Sequence, residues 1–145
     1  MKLRFLVVAA LVVAVTLGIS TAGTAQTSAR KVIEITMTSF KFEPSVIQVN
    51  EGDTVVIRLR NGDDTRRFVH NIASRYFVNI PLTVRGPAQE AVEEGRKYVQ
   101  LTAGQSAEIE FVAANRGSYA FICSVFIHSF AGMTGQIFVR PAGSP

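Results

Sequence analysis

Cysteine and histidine are almost absent from this sequence, and their scarcity limits what the protein can be. The 145 residues include one cysteine, Cys123, and two histidines, His70 and His128. A single cysteine cannot close a disulfide within the chain, which excludes a small disulfide-stapled fold. The thiol is therefore a buried apolar residue, a reactive nucleophile or a metal ligand, and its neighbours must decide among the three.

Without its N-terminal segment, the chain also has no strong excess of positive or negative charge. The chain has 15 basic and 11 acidic residues, but Lys2 and Arg4 precede an apolar run from Phe5 to Ile19. This layout, followed by small polar residues, is typical of a secretory signal peptide. We predict cleavage after Ala25, so that residues 1–25 are removed and thirteen basic residues remain against eleven acidic ones.

The low charge of the mature chain and the length of its apolar run bear on its partners and location. Its basic residues do not cluster with aromatic residues along one face, so nucleic acid is not an expected partner. An uncleaved membrane anchor is the alternative for residues 5–19, although fifteen residues fall short of the ~20 that a spanning helix needs. We expect an exported protein, periplasmic or extracellular, that contacts a membrane only if this segment is retained.

From Lys31 onward the hydrophobic pattern has a period of two, which predicts strands rather than helices. We expect one domain over residues 31–145, preceded by a disordered segment at 26–30. Its fold should be all-β, a two-sheet Greek-key sandwich of roughly seven or eight strands. The predicted strands are Val32–Met37, where the alternation is weak, Ser45–Val49, Thr54–Arg60, Ala107–Phe111, Tyr119–Cys123 and Ile137–Val139.

The segment from Ile72 to Tyr98 breaks this alternation and predicts one irregular excursion. Within it, residues 88–97 could form a short helix, because alanine, glutamine and glutamate favour helices and Pro87 suits a first turn. Phe40 and Phe42 are most simply interpreted as core residues.

The residues that can bind a metal converge near the C-terminus. Cys123, His128 and Met133 follow the spacing Cys-x4-His-x4-Met directly after a predicted strand whose inward face ends at the thiol. The other histidine, His70, follows a polar stretch. A thiolate, two imidazoles and a weak axial thioether are the ligands of a blue-copper electron-transfer site. The sequence therefore predicts one copper ion, cycling between Cu(I) and Cu(II), held by His70, Cys123, His128 and Met133.

Two segments resemble the cupredoxins, the family of plastocyanin and azurin. The sequence FKFEPSVIQVNEGDTV, beginning at Phe40, is similar to the family's opening, and GSYAFICSVFIHSFAGMTGQIFV, from Gly117 to Val139, is similar to its closing ligand segment. The ligand spacing is nearer to that of rusticyanin, auracyanin and sulfocyanin than to that of plastocyanin. The resemblance also implies that Asn71, next to His70, braces the ligand loops.

The resemblance implies a monomeric one-electron carrier that is not an enzyme, because all positions on the metal are taken by protein ligands. Redox partner proteins should dock near His128, where Phe126 and Phe130 make the ligand loop unusually apolar for a turn. Two alternatives remain open. The protein could carry or buffer copper for an oxidase, or Cys123 could be the nucleophile of a Cys-His hydrolase or transferase.

Overall fold

The computed structural model describes residues 28–65 and 68–145. The predicted signal peptide, its alternative as a membrane anchor, and residues 26 and 27 lie outside this part of the chain. The first strand begins at Arg30, one residue before the predicted start of the domain. Among the described residues, none form a helix long and apolar enough to cross a membrane.

Strands account for most of the described chain. Their bounds are β1 (Arg30–Thr38), β2 (Lys41–Glu43), β3 (Val46–Asn50), β4 (Thr54–Asn61), β5 (Val69–Ser74), β6 (Thr83–Arg85), β7 (Gln89–Glu93), β8 (Arg96–Thr102), β9 (Ser106–Val112), β10 (Gly117–Ile122) and β11 (Thr134–Arg140). A 3₁₀ turn covers Tyr76–Val78.

The strands form two sheets, which confirms the predicted all-β sandwich. One sheet has the order β2-β1-β4-β9-β6 and the other β3-β11-β10-β5-β8-β7. The chain passes repeatedly between the sheets, and β1 pairs in parallel with β4 as β3 does with β11. The strands outnumber the seven or eight expected, because β2, β6 and β7 are short strands beside turns, where alternation is hard to read.

The core lies between the sheets and follows the predicted alternation. On β9 the side chains of Ala107, Ile109 and Phe111 are buried, while the intervening glutamates are more exposed. Phe42 packs edge-to-face against Phe121 with ring centroids 4.9 Å apart. Burial of each large apolar side chain contributes about 1.5–3 kcal/mol relative to exposure. These contacts join the two sheets into one rigid unit.

The helix predicted for residues 88–97 is wrong, because this segment forms the β7–β8 hairpin. Glu94 and Gly95 connect the strands with positive φ angles of 48° and 72°, the backbone that a tight two-residue hairpin turn requires. Strand β8 also pairs along β5 and buries Val99 and Leu101 in the core. Tertiary pairing therefore overrides the weak helix preference of alanine, glutamine and glutamate.

Candidate metal centre

Three neighbouring antiparallel strands bring the predicted ligands to one end of the sandwich. His70 is the second residue of β5, Cys123 follows the end of β10, and Met133 precedes the start of β11. Strand β10 lies between β5 and β11 and runs antiparallel to both. The start of β5, the end of β10 and the start of β11 therefore lie at the same end of the sheet. Residues far apart in sequence thereby become neighbours.

The nitrogen and sulfur donors of three predicted ligands converge. The Sγ atom of Cys123 lies 3.4 Å from Nδ1 of His128 and 3.9 Å from Nδ1 of His70, and the three donor atoms all lie within 4.8 Å of one another. Cys123 and His70 are fully buried, whereas His128 is only partly buried. His128 is therefore the one of these three side chains that reaches the surface.

Met133 is placed beside this cluster by the backbone. Its carbonyl accepts a hydrogen bond from the Cys123 N–H at 3.0 Å, and its own N–H donates to the carbonyl of His128, also at 3.0 Å. The Met133 side chain is fully buried. Gly135, two residues later, lets β11 lie close to Phe121 and Ser45, because a Cβ atom there would overlap the ring of Phe121 and the carbonyl oxygen of Ser45.

Asn71 joins the two segments that carry His70 and Cys123. Its Oδ1 accepts a hydrogen bond from the backbone N–H of Ser124 at 2.8 Å, and its Nδ2 donates to the Ser124 hydroxyl at 2.9 Å. These bonds fix the chain directly after the thiol. Asn71 thus occupies the bracing position that the sequence resemblance implies.

The environment of Cys123 and His128 favours the uncharged forms of both side chains in the absence of a metal. Burial raises the pKa of the Cys123 thiol, and the backbone N–H groups of Asn71 and Val125 oppose that rise. Burial, followed by the proximity of His70, lowers the pKa of His128, while Asp63 opposes this shift. A neutral imidazole at His128 is ready to bind a metal at neutral pH, whereas Cys123 must release its proton on binding.

Asp63 is a functional candidate that the sequence analysis missed. Its Oδ2 lies 2.8 Å from Nε2 of His70, on the side of the ring opposite Cys123. The backbone N–H and the hydroxyl of Ser39 both donate to the same carboxylate. Burial would raise the pKa of Asp63, but hydrogen bonds from His70 and Ser39 lower it below its usual value. In the sequence, the only signal for this contact is that Asp63 lies shortly before the strand that carries His70.

Phe40 is not the core residue that the sequence predicted. It lies in the turn between β1 and β2 with φ at 68°, and its side chain is 42% exposed. Its ring packs edge-to-face against the His128 imidazole with centroids 5.2 Å apart. Phe42, in contrast, is buried as expected. The turn therefore places one aromatic side chain inside the core and the other against a predicted ligand.

The apolar ligand loop points outward around His128. Phe126 is 90% exposed, Phe130 is 91% exposed and Ile127 is 69% exposed. Surface loops that merely reverse the chain are usually polar, and large exposed aromatic groups in one loop are characteristic of interaction surfaces. Phe126, Ile127 and Phe130, which all lie within two residues of His128 in the sequence, are together called the apolar patch.

The donor set and its spacing fit a single copper ion. Metal bonds of about 2.0–2.3 Å at 120° would separate a nitrogen from a sulfur donor by about 3.8 Å, close to the 3.4 and 3.9 Å observed. Thiolate and thioether are soft donors that favour Cu(I), whereas imidazoles also accept Cu(II). These two separations are those of donors that can share one ion, and all three donor atoms lie within 4.8 Å of one another.

A β-sandwich with one thiol, two imidazoles and a buried thioether gathered at one end defines a class of small mononuclear copper proteins. The chain belongs to the cupredoxin-like domain family, whose sequence profile matches residues 7–139. Its cofactor is one copper ion. The resemblance identified from the Cys-x4-His-x4-Met segment is therefore confirmed.

Comparisons with individual proteins agree with this assignment. The copper-resistant cuproprotein CopI of Rubrivivax gelatinosus is 30% identical over 125 residues, which cover 82% of this chain and 70% of CopI. The multicopper oxidase mco of Staphylococcus aureus is 30% identical over 109 residues, 71% of this chain but only 24% of the oxidase. Dithionite-reduced auracyanin from Roseiflexus castenholzii superposes with a TM-score of 0.59 at 23% identity, over 79% of this chain and 100% of auracyanin. At that identity the superposition supports the fold alone.

Proposed function

We propose that this protein is an exported type 1 copper protein that carries single electrons between redox partner proteins. Its ligands are His70, Cys123, His128 and Met133. The observation that carries the proposal is the buried Sγ of Cys123 flanked by two imidazole Nδ1 atoms at 3.4 and 3.9 Å, with the buried Met133 hydrogen-bonded through its backbone to both the Cys123 and His128 segments.

Each ligand has a distinct role in this proposal. When bound, the copper ion supplies a one-electron redox couple. Cys123 and the two histidines would supply the strong donors to the ion, and Met133 would supply a weak thioether donor that tunes the potential. The ligand segments are anchored to β5, β10 and β11 and braced by Asn71. A site held this rigidly changes little between oxidation states, which favours rapid electron transfer.

The partner surface in this proposal is the apolar patch around His128. His128 is partly exposed, whereas His70, Cys123 and Met133 are fully buried, so its imidazole edge offers the shortest route for an electron to leave the protein. Exposed phenylalanines beside it exclude water when a partner docks, and such aromatic side chains are enriched at the centres of protein interfaces. The protein acts as a monomer that forms short-lived complexes.

Catalysis by a Cys-His pair is not part of this proposal. A nucleophilic cysteine needs an accessible thiolate with a lowered pKa, but the Cys123 side chain is fully buried and burial raises its pKa. Alkylation of the copper-loaded protein provides a direct test. Rapid modification of Cys123 in the loaded form would favour the hydrolase alternative.

Copper carriage is the second candidate function, and the similarity to the copper-resistant cuproprotein CopI favours it. A carrier must release its metal, whereas an electron carrier must retain it through redox cycles. The two functions can therefore be distinguished by comparing the rate of copper loss to a Cu(I) chelator with the rate of electron transfer. Release within the time of one redox cycle would support carriage.

The visible spectrum of the copper-loaded protein tests the main proposal. We expect an intense thiolate-to-Cu(II) charge-transfer band that persists through repeated reduction and oxidation. In Cys123→Ser the band should disappear, because a hydroxyl cannot replace the polarizable thiolate. An intense band that survives this substitution would refute Cys123 as a ligand.

Export is proposed from residues 1–25 and is tested separately. Mass spectrometry of protein expressed with its full N-terminus should show removal of these residues and recovery outside the cytoplasm. Full-length protein that stays with the membrane fraction would support the anchor alternative.

A further inference from the structure

The side chain of Asp63 contacts a predicted copper ligand from outside the ligand set. Its Oδ2 lies 2.8 Å from Nε2 of His70, and only 13% of the Asp63 side chain is exposed. An ionised carboxylate can only accept hydrogen bonds, so Nε2 of His70 must carry the proton and donate it. Nδ1 of His70 then keeps its lone pair, and this is the atom that faces Cys123.

Asp63 is itself held in place by three further groups. The backbone N–H of Ser39 donates to Oδ1 at 3.2 Å and the Ser39 hydroxyl donates to Oδ2 at 3.0 Å. The backbone N–H of Asp63 donates to Oδ1 of the buried Asn61 at 3.2 Å. Ser39 directly follows β1, and Asn61 is the last residue of β4. These hydrogen bonds therefore fix the Asp63 carboxylate relative to both strands.

This arrangement also connects the two histidine ligands. Ser39, which holds Asp63 against His70, directly precedes Phe40, whose ring packs against His128. The turn between β1 and β2 therefore supports both imidazoles from outside the ligand segments. Neither Ser39 nor Phe40 belongs to the Cys-x4-His-x4-Met motif.

A carboxylate in this position changes the chemistry of the imidazole. Hydrogen bonding through the distal nitrogen fixes the tautomer and orientation of a ligand histidine and makes it more basic. A nearby negative charge in a poorly solvated site also favours the more highly charged state of a metal. Both effects stabilise Cu(II) more than Cu(I).

We propose that Asp63 is a positioning residue that fixes His70 for metal binding and lowers the reduction potential of the copper site. This inference rests on the proposed type 1 copper function. It adds a residue outside the four ligands that sets how readily the protein accepts an electron.

The test compares Asp63→Asn with Asp64→Asn in copper-loaded protein. Asparagine has the shape of aspartate but no charge, whereas Asp64 is an exposed neighbour without a contact to His70 among the described residues. Both substitutions change the net charge equally. We expect Asp63→Asn to keep the charge-transfer band and to weaken Cu(II) binding roughly tenfold more than Cu(I) binding, an upward shift of about 59 mV for a one-electron couple. Asp64→Asn should shift the potential far less.

Equal potentials in the two variants would overturn the inference. A second measurement on the wild type does not depend on the variants folding. In the ¹⁵N-labelled Cu(I) protein, Nε2 of His70 should carry a slowly exchanging proton, because the carboxylate accepts it away from solvent. A His70 protonated on Nδ1, or a rapidly exchanging Nε2 proton, would equally overturn the inference. Failure of the proposed function would appear earlier, as a wild type without a charge-transfer band.

Discussion

Replacing Phe130 with glutamate should slow electron exchange while leaving the copper site intact. Phe130 is 91% exposed, so its ring contributes little to the folded core. We expect the free energy of unfolding to change by less than about 0.5 kcal/mol, as for most surface substitutions. The charge-transfer band should keep its position and intensity, because Phe130 takes part in none of the hydrogen bonds that hold the predicted ligands among the described residues.

The size of the effect on docking follows from the exposed area. A phenylalanine side chain can bury roughly 150–250 Å², so covering half of the exposed ring removes about 100 Å² from water. That burial is worth about 2.5 kcal/mol, or roughly seventyfold in affinity. This value is an upper limit because ordering the interface has its own cost. A buried glutamate charge acts in the same direction. We expect the second-order rate to fall several-fold or more.

Electron self-exchange between reduced and oxidised copies provides an assay that needs no partner, and NMR line broadening measures its rate. The matched control is Val112→Glu, which adds the same charge at a residue 57% exposed. Val112 lies opposite Thr54, the first residue of β4, at the end of the sandwich away from the ligands. Measurements with the natural redox partner should rank the variants in the same order.

An unchanged self-exchange rate in Phe130→Glu would refute docking through this loop. The same conclusion would follow if Val112→Glu slowed exchange equally, because the effect would then come from net charge alone. Loss of copper from Phe130→Glu would show instead that the side chain supports the site. Phe126→Glu, at 90% exposure, offers an independent repeat.

Three further predictions concern the site itself. His128→Ala should lose its native spectrum and recover a charge-transfer band when imidazole is added. His70→Ala should not recover the band, since His70 is fully buried whereas His128 is partly exposed. Equal recovery in both variants would contradict this difference. Met133→Leu should keep the band and raise the reduction potential in voltammetry, because loss of a weak donor disfavours Cu(II); a lowered potential would count against the axial role. The lowered pKa of Asp63 means that the unfolded chain binds this proton more tightly, so the stability of metal-free protein should fall as the pH drops from about 5 through the folded pKa. Chemical denaturation of Asp63→Asn should show a shallower pH dependence, and an unchanged slope would contradict the assignment.

The alternation of apolar and polar residues in β9 and β10 can be recognised in the sequence, because each strand has one face in the core and one outside. Ile109 and Phe111 are buried as predicted, and so are Phe121 of β10 and Cys123, which directly follows that strand. The β7–β8 hairpin was not predicted, since residues 88–97 favour a helix locally, whereas in the structure β7 pairs with β8 and β8 pairs with β5. The prediction that Phe40 lies in the core is wrong for a related reason, because its positive φ turns the side chain out of the strand pattern.

The type of metal and the fold class of this protein can be inferred from its residues alone. A chain with one cysteine and two histidines, and with a methionine at matching spacing, leaves few other uses for these residues, and the period-two pattern determined the all-β class. Which atoms lie in contact depends on how the chain folds. The contacts of Asp63 with His70 and of Phe40 with His128 join segments 7 and 88 residues apart. Such contacts depend on which strands are neighbours and on the direction of single side chains in loops, neither of which local hydrophobic pattern encodes.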